Sequence, residues 1–283
     1  MPLVFACIAP HGAMAIPEAK PADRPDLASA TTAAMLELGR RFDAARPDVS
    51  IVLTPHNVHV AGAMAVIDAA AVAGDLRQWG SPTALSVPVD RDVAHATHHA
   101  LRAAAIPVVY VSYGANDPAS AVAPMDWAVL IPAYFMGGRT DPQVPVVVVA
   151  PARDLSDETH VRAGRAIGAE AAASPKRVAL IASCDHGHGH DVNGPYGYTP
   201  SSKDFDDRLV ELLRRDALAE VVRFGSDFAR QARADSYWQM LMLLGALGPP
   251  GWRGELLSYE APTYFGMVCA AFAPGGRSSD TGP

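Results

Sequence analysis

Cysteine is scarce: Cys7, Cys184 and Cys269 are the only three in 283 residues. An odd, sparse set in a chain this long excludes a disulfide framework and fits a reducing compartment. Charged residues make up 19% of the chain, with a formal net charge of −7. No lysine or arginine run stands out, so neither nucleic acid nor an anionic membrane is an expected partner. No apolar run approaches the ~20 residues of a membrane-crossing helix. The N-terminus MPLVFACIAPHGA lacks a basic stretch followed by a long apolar one, which argues against a secretory signal. These absences predict a cytoplasmic protein. Internal repeats and a clear linker are also missing, which predicts one domain.

What the chain does have is apolar material, 49% of its residues, enough for a sizeable core. Short β-branched runs at 2–9, 49–54, 107–112, 145–150 and 177–183 read as strands, with weaker ones at 63–68 and 266–272. They lack polar alternation, as strands buried on both faces do. Helical segments lie between them at 28–45, 89–104, 155–170, 202–215 and 235–247. In the fourth, Phe205, Leu209, Leu212 and Leu213 share a face, and Ser201 or Ser202 is placed to cap the start. Gly248 and Pro249 stop the last helix. The alternation predicts a single three-layer α/β/α domain over 1–273, with a mixed, largely parallel central sheet. Residues 113–125, 186–201 and 248–252 read as loops, and 274–283 as a disordered tail.

Ten histidines are present, and three groups of them directly follow predicted strands. These are Pro10-His11-Gly12, Pro55-His56-Asn57-Val58-His59, and the stretch from Ser183 to Asp191 that carries His186, His188 and His190. In open α/β sheets, ligands bind beyond the carboxyl ends of the strands. Twice a proline separates strand from histidine. It ends strand pairing and holds the imidazole on a rigid platform. Two such imidazoles and one carboxylate would form the facial triad of non-haem iron(II) enzymes. A further, unligated histidine could move protons, since an ordinary imidazole titrates near ~6.5. His95, His98, His99 and His160 lie in helices without a suitably spaced carboxylate and read as surface or packing residues.

These residues resemble a known family. APHG, VLTPH, ASCDHGHGH, the segment GPYGYTPSSKDFDDRLVELL and the late helix DSYWQMLMLLGAL are similar to stretches of the catalytic (B) subunit of class III extradiol ring-cleavage dioxygenases. That superfamily includes protocatechuate 4,5-dioxygenase and 2-aminophenol dioxygenase, and Memo-type proteins are a related branch. The resemblance implies an Fe(II)-dependent enzyme that opens a catechol- or aminophenol-type ring with O2, with a homo-oligomer as the expected assembly. It implies His11, His56 and Asp235 as metal ligands, with Glu260 the other carboxylate considered. It implies His188 as the acid–base residue, with His186, Trp127 and Tyr198 placed at the substrate. Two departures stand out. The family usually has Glu where Asp235 stands. Relatives often show Asp-His-Gly where this chain has Asp126-Trp127-Ala128, so Trp127 would shape the pocket by stacking rather than by proton transfer. A zinc hydrolase with the same ligand set, or a Memo-like binding protein without catalysis, are the alternatives.

Overall fold

Residues 3–248 and 251–275 are described in the computed structural model. From the amino terminus the chain runs β1 (Leu3–Ala9), α1 (Ser29–Ala45), β2 (Val49–Leu53), β3 (Met64–Ile67), β4 (Ala71–Asp75), β5 (Ala84–Pro88), α2 (Arg91–Ala103), β6 (Val108–Val111), β7 (Val122–Pro124), α3 (Trp127–Phe135) and β8 (Val146–Ala150). It continues through α4 (Asp157–Ala173), β9 (Val178–Ser183), α5 (Pro200–Arg214), α6 (Gly225–Gln231), α7 (Tyr237–Leu247), β10 (Trp252–Glu260) and β11 (Met267–Pro274).

Eight strands form one sheet in the order β10-β11-β1-β9-β2-β8-β3-β6, flanked by helices in a three-layer α/β/α arrangement. Its centre, β1-β9-β2-β8, is parallel throughout. β10 and β11 close one side antiparallel, and β3 runs antiparallel to β8. β2, β8 and β9 are buried along their whole length, which explains their unbroken apolar sequence. Burying one such valine or isoleucine stabilises the fold by about 1.5–3 kcal/mol. Ala9 lies opposite Ser183, and Leu53 opposite Ala182. Three parallel strands therefore finish level, and their following loops share one edge.

The expected strands and helices form within a few residues of their predicted bounds. Several elements were not legible. β5-β4-β7 make a second small sheet, half-exposed and without a clear apolar pattern, and β7 lies inside the predicted loop 113–125. The helix α3 is buried almost all round and contains Pro132, so no periodic contrast marked it. β10 was also missed, because its residues alternate between half-buried and exposed. The cap of α5 is Thr199, not Ser201 or Ser202; its side chain accepts the Ser201 amide, and Pro200 occupies the first helical position. Pro274 pairs with Trp252 at the end of β11. The rest of the predicted tail from 276, and 249–250 of the predicted loop 248–252, lie outside the described residues. Among the described residues, no helix is long and apolar enough to cross a membrane.

Candidate metal centre

His11 and His56 leave the ends of β1 and β2, parallel strands on either side of β9, and each is oriented by its own set of hydrogen bonds. The buried His11 donates its backbone N–H to Asp185 Oδ1 at 3.0 Å, and its Nδ1 lies 3.0 Å from Ser183 Oγ. The Ser183 hydroxyl gives its only proton to the Ala128 carbonyl at 2.6 Å. It must therefore accept from His11, which places a proton on Nδ1 and leaves Nε2 as the nitrogen able to ligate a metal. The His56 amide donates to Thr54 Oγ1 at 3.3 Å. Asn57 follows in the left-handed region, at φ 71°, and exchanges hydrogen bonds with Asp126, whose carboxylate also caps α3. Trp127, the next residue, packs on the His56 ring with centroids 4.6 Å apart.

Asp235 completes the cluster. Its Oδ2 lies 3.6 Å from His11 Nε2 and 3.3 Å from His56 Nε2. One donor atom from each of the three falls within 4.8 Å of the others. Asp235 does not cap α7. Ser236 stands at the cap position, and Asp235 Oδ1 instead accepts the Asp185 amide at 3.2 Å. Gln239 ties α7 to β9 by donating to the Ser183 carbonyl at 3.1 Å. Glu260, the other carboxylate considered, is committed elsewhere: it accepts the Thr31 amide in the first turn of α1.

The electrostatics favour a cation here. Burial alone would lower the His11 pKa, yet Asp185 and Asp235 raise it to about 9. Burial opposes ionisation of Asp235, but His11 and His56 hold its carboxyl well below the usual range. Burial pushes Asp185 up, and likewise Asp126. Two imidazoles and a carboxylate, with further buried acids behind them, fit a divalent metal of the kind that takes mixed nitrogen and oxygen ligands.

The His-rich stretch after β9 is not a loose, solvated loop. His186, His188 and His190 donate their amides to the carbonyls of Gly266, Ala232 and Tyr264. Between them, Gly187 and Gly189 donate to Asp206 Oδ1 and Ser202 Oγ, both at 2.8 Å. A β-carbon at Gly187 would come within 2.6 Å of Ser202, and one at Gly189 within 2.5 Å of Thr199. The glycines let this stretch press against the start of α5. His190 Nε2 lies 2.8 Å from Asp206 Oδ2, which also accepts the Tyr259 hydroxyl. His188 stacks on Phe265, with centroids 5.5 Å apart and planes at 19°.

A cavity of about 500 Å³ opens beside the cluster, lined by His56, Asp235, Trp238, His188 and Tyr196, and by Arg153, Arg230 and Arg233. Of the residues expected at the substrate, His188 lines it and three do not. His186 is fully buried, and neither ring nitrogen has a hydrogen-bond partner. Trp127 backs the His56 ring and touches Trp79, with centroids 5.0 Å apart. Tyr198 does not line the cavity; Tyr196, about equally exposed, lines it instead. His95 does have a carboxylate partner, Asp68, at 3.2 Å, contrary to the sequence reading. Asp68 belongs to a different element, so helix spacing could not reveal it. His98 stacks on Tyr110, and His160 is buried against the Ser156 carbonyl.

The sequence reading missed Ser183, Asp126 and Asn57 as supports, and Arg153 and Tyr196 as lining. Only Asp126 carried a local signal, an acid directly before an apolar run.

A family model described as the catalytic LigB subunit of aromatic ring-opening dioxygenase matches residues 5–271. Protein CA_C1420 of Clostridium acetobutylicum is 22% identical over 273 residues, which are 96% of this chain and 57% of that protein. The chain thus spans little more than half the length of this curated relative. The crystal structure of uncharacterized protein JW3007 from Escherichia coli K12 is 18% identical, with a TM-score of 0.61, and the match covers 95% of this chain and 99% of that one. At that identity, the likeness establishes the fold.

Proposed function

This chain belongs to the family of the catalytic LigB subunit of aromatic ring-opening dioxygenase, and from that premise we propose that it is a non-haem Fe(II)-dependent extradiol dioxygenase acting with O2 on a catechol- or aminophenol-type ring. The observation that carries the reading is the convergence of His11 Nε2 and His56 Nε2 on Asp235 Oδ2. In this reading His11, His56 and Asp235 hold the iron. Bound there, the ion would supply a Lewis-acid and redox centre at which substrate and dioxygen could be brought together.

The chain's own residues do the rest. Tyr196 offers an aromatic wall against which a flat ring can stack. His188 is the proton carrier. Its Nδ1 is enclosed without a hydrogen-bond partner, so the proton from the substrate hydroxyl enters and leaves through Nε2. Phe265 holds the ring in one plane for that exchange. Trp127 and Asp126 keep His56 from rotating away.

Oxygen uptake by freshly iron-loaded protein, measured against a panel of catechols and aminophenols, tests the reading. Consumption of O2 in step with loss of one class of substrate is the expected result. Absence of uptake across the whole panel would sink it, as would zinc-supported hydrolysis that needs no oxygen.

A further inference from the structure

The eight-stranded sheet ends in β10 on one side and in β6 on the other, and the two edges differ. β10 carries Arg253, Glu255 and Glu260, and its register against β11 shifts between Leu256 and Ser258. Charges and a broken register are ordinary means of keeping another strand off a sheet edge. β6 has neither. Its residues, Val108, Val109, Tyr110 and Val111, are uncharged and pair with β3 in unbroken register.

β3 satisfies only one side of this backbone. The Pro107 and Val111 carbonyls accept the Met64 and Asp68 amides, at 2.9 and 2.8 Å. Strand alternation turns the N–H and C=O groups of Val108, Tyr110 and Ser112 the other way, where the sheet has no further strand. The Tyr110 ring is stacked on His98 of α2, with centroids 3.7 Å apart, and so stays off that edge. Val109, Tyr110, Tyr113 and Val122 are all exposed. Val122 belongs to the same region, because the Ala70 amide, just beyond β3, donates to the Ala121 carbonyl.

The two ends of the edge carry opposite charge. Arg102 lies six positions before β6, in the last turn of α2, and Arg162 reaches the same end by donating to the Ala104 carbonyl. Asp117 lies six positions after β6, and its carboxylate accepts the Ala119 amide. Among the described residues, none of the three forms an ion pair. Such an edge is its own antiparallel complement. A two-fold axis at Tyr110 sets Tyr110 against Tyr110 and Val108 against Ser112, and brings the arginine end of each copy to the Asp117 end of the other.

We propose that β6 is the seam of a homodimer, in which two copies of this chain join edge to edge into one continuous sheet. The exposed Val109, Tyr113 and Val122 supply apolar area around the seam. The arginine–aspartate contacts, made twice, fix the antiparallel direction. The inference is independent of the ring-cleavage reading.

Sedimentation equilibrium of the full chain at micromolar concentration tests it, and the expected mass is that of two chains. Val109→Lys, which places a like charge from each copy beside the axis, should shift the protein to monomer. Arg102→Glu and Asp117→Arg should each raise the dimer dissociation constant about tenfold or more, since either reversal sets like charges together at both symmetry-related contacts. Mixing those two variants should restore a dimer, because each then meets its opposite charge at both ends. Melting curves establish that each variant is folded. Should Val109→Lys fail to fold, the two exposed charge variants decide alone. A monomeric wild type overturns the proposal. So does a dimer that the folded variants leave unweakened, because it uses another surface, and so does a mixture of the charge variants that stays monomeric.

Discussion

His11 and His56 meet edge to face, with ring centroids 5.2 Å apart and planes at 88°, although 45 positions of sequence separate them. Their Nε2 atoms turn toward the same oxygen of Asp235. With Asp235, the two nitrogens supply three donor atoms within 4.8 Å of one another, a set that could hold one metal ion.

Replacement of either imidazole tests that geometry directly. His11→Ala and His56→Ala should each fail to retain iron after loading and desalting, as measured by elemental analysis. Full occupancy in either variant would contradict the ligand assignment.

His188 should behave differently. Its ring lines the cavity but lies outside the three-residue cluster, so His188→Ala should retain iron while turnover falls about 10²- to 10⁴-fold. Parallel metal analysis and kcat measurements separate the two effects. Turnover equal to the wild type would remove His188 from the mechanism.

Asp126 should matter to both stability and metal affinity. It caps α3 and holds the Asn57 amide beside His56. Asp126→Ala should cost about 1 kcal/mol from the lost cap, lowering the melting temperature by about 2–4 °C. It should also weaken metal binding about 10- to 100-fold, through a loosened His56. Thermal denaturation and metal titration check these separately, and a variant with unaltered metal affinity would show that His56 needs no such support.

The acid side of the stability profile should report His186. Burial lowers its pKa to about 4, below the ordinary ~6.5 of an unfolded histidine. Between those values the unfolded chain binds a proton that the folded chain refuses. Stability is therefore lost as pH falls from about 6.5 toward 4, and His186 adds no further slope below that. Thermal melts of the metal-free chain across this window should be steeper for the wild type than for His186→Phe. Identical slopes would mean that some other group controls the acid limb.

Much of this site was legible because the relevant signals are local. An apolar run ending in Pro-His is visible in a single stretch, and it occurs twice, before His11 and before His56. The glycine alternation around His188 was visible too, although its reason was not. Gly187 and Gly189 are small because Ser202 and Thr199 press against them. The supports were harder to read. Ser183 looks like the last residue of a strand until the Ala128 carbonyl and His11 are found on either side of its hydroxyl. Tyr198 and Tyr196 are equivalent in a Gly/Pro-rich segment, and only the folded chain shows that Tyr196 is the one at the cavity.

The sequence by itself determined the α/β alternation, the buried parallel strands and the strand-end position of the histidines, because apolar period and proline placement act over a few residues. Tertiary structure alone decided which carboxylate joins them. Asp235 and Glu260 both follow plausible patterns, but α7 docks against β9 through Gln239 and brings Asp235 to His11 and His56. The end of β10 instead delivers Glu260 to the start of α1. Contacts between residues so distant in the chain depend on how strands are ordered and how helices pack, and no local pattern encodes that.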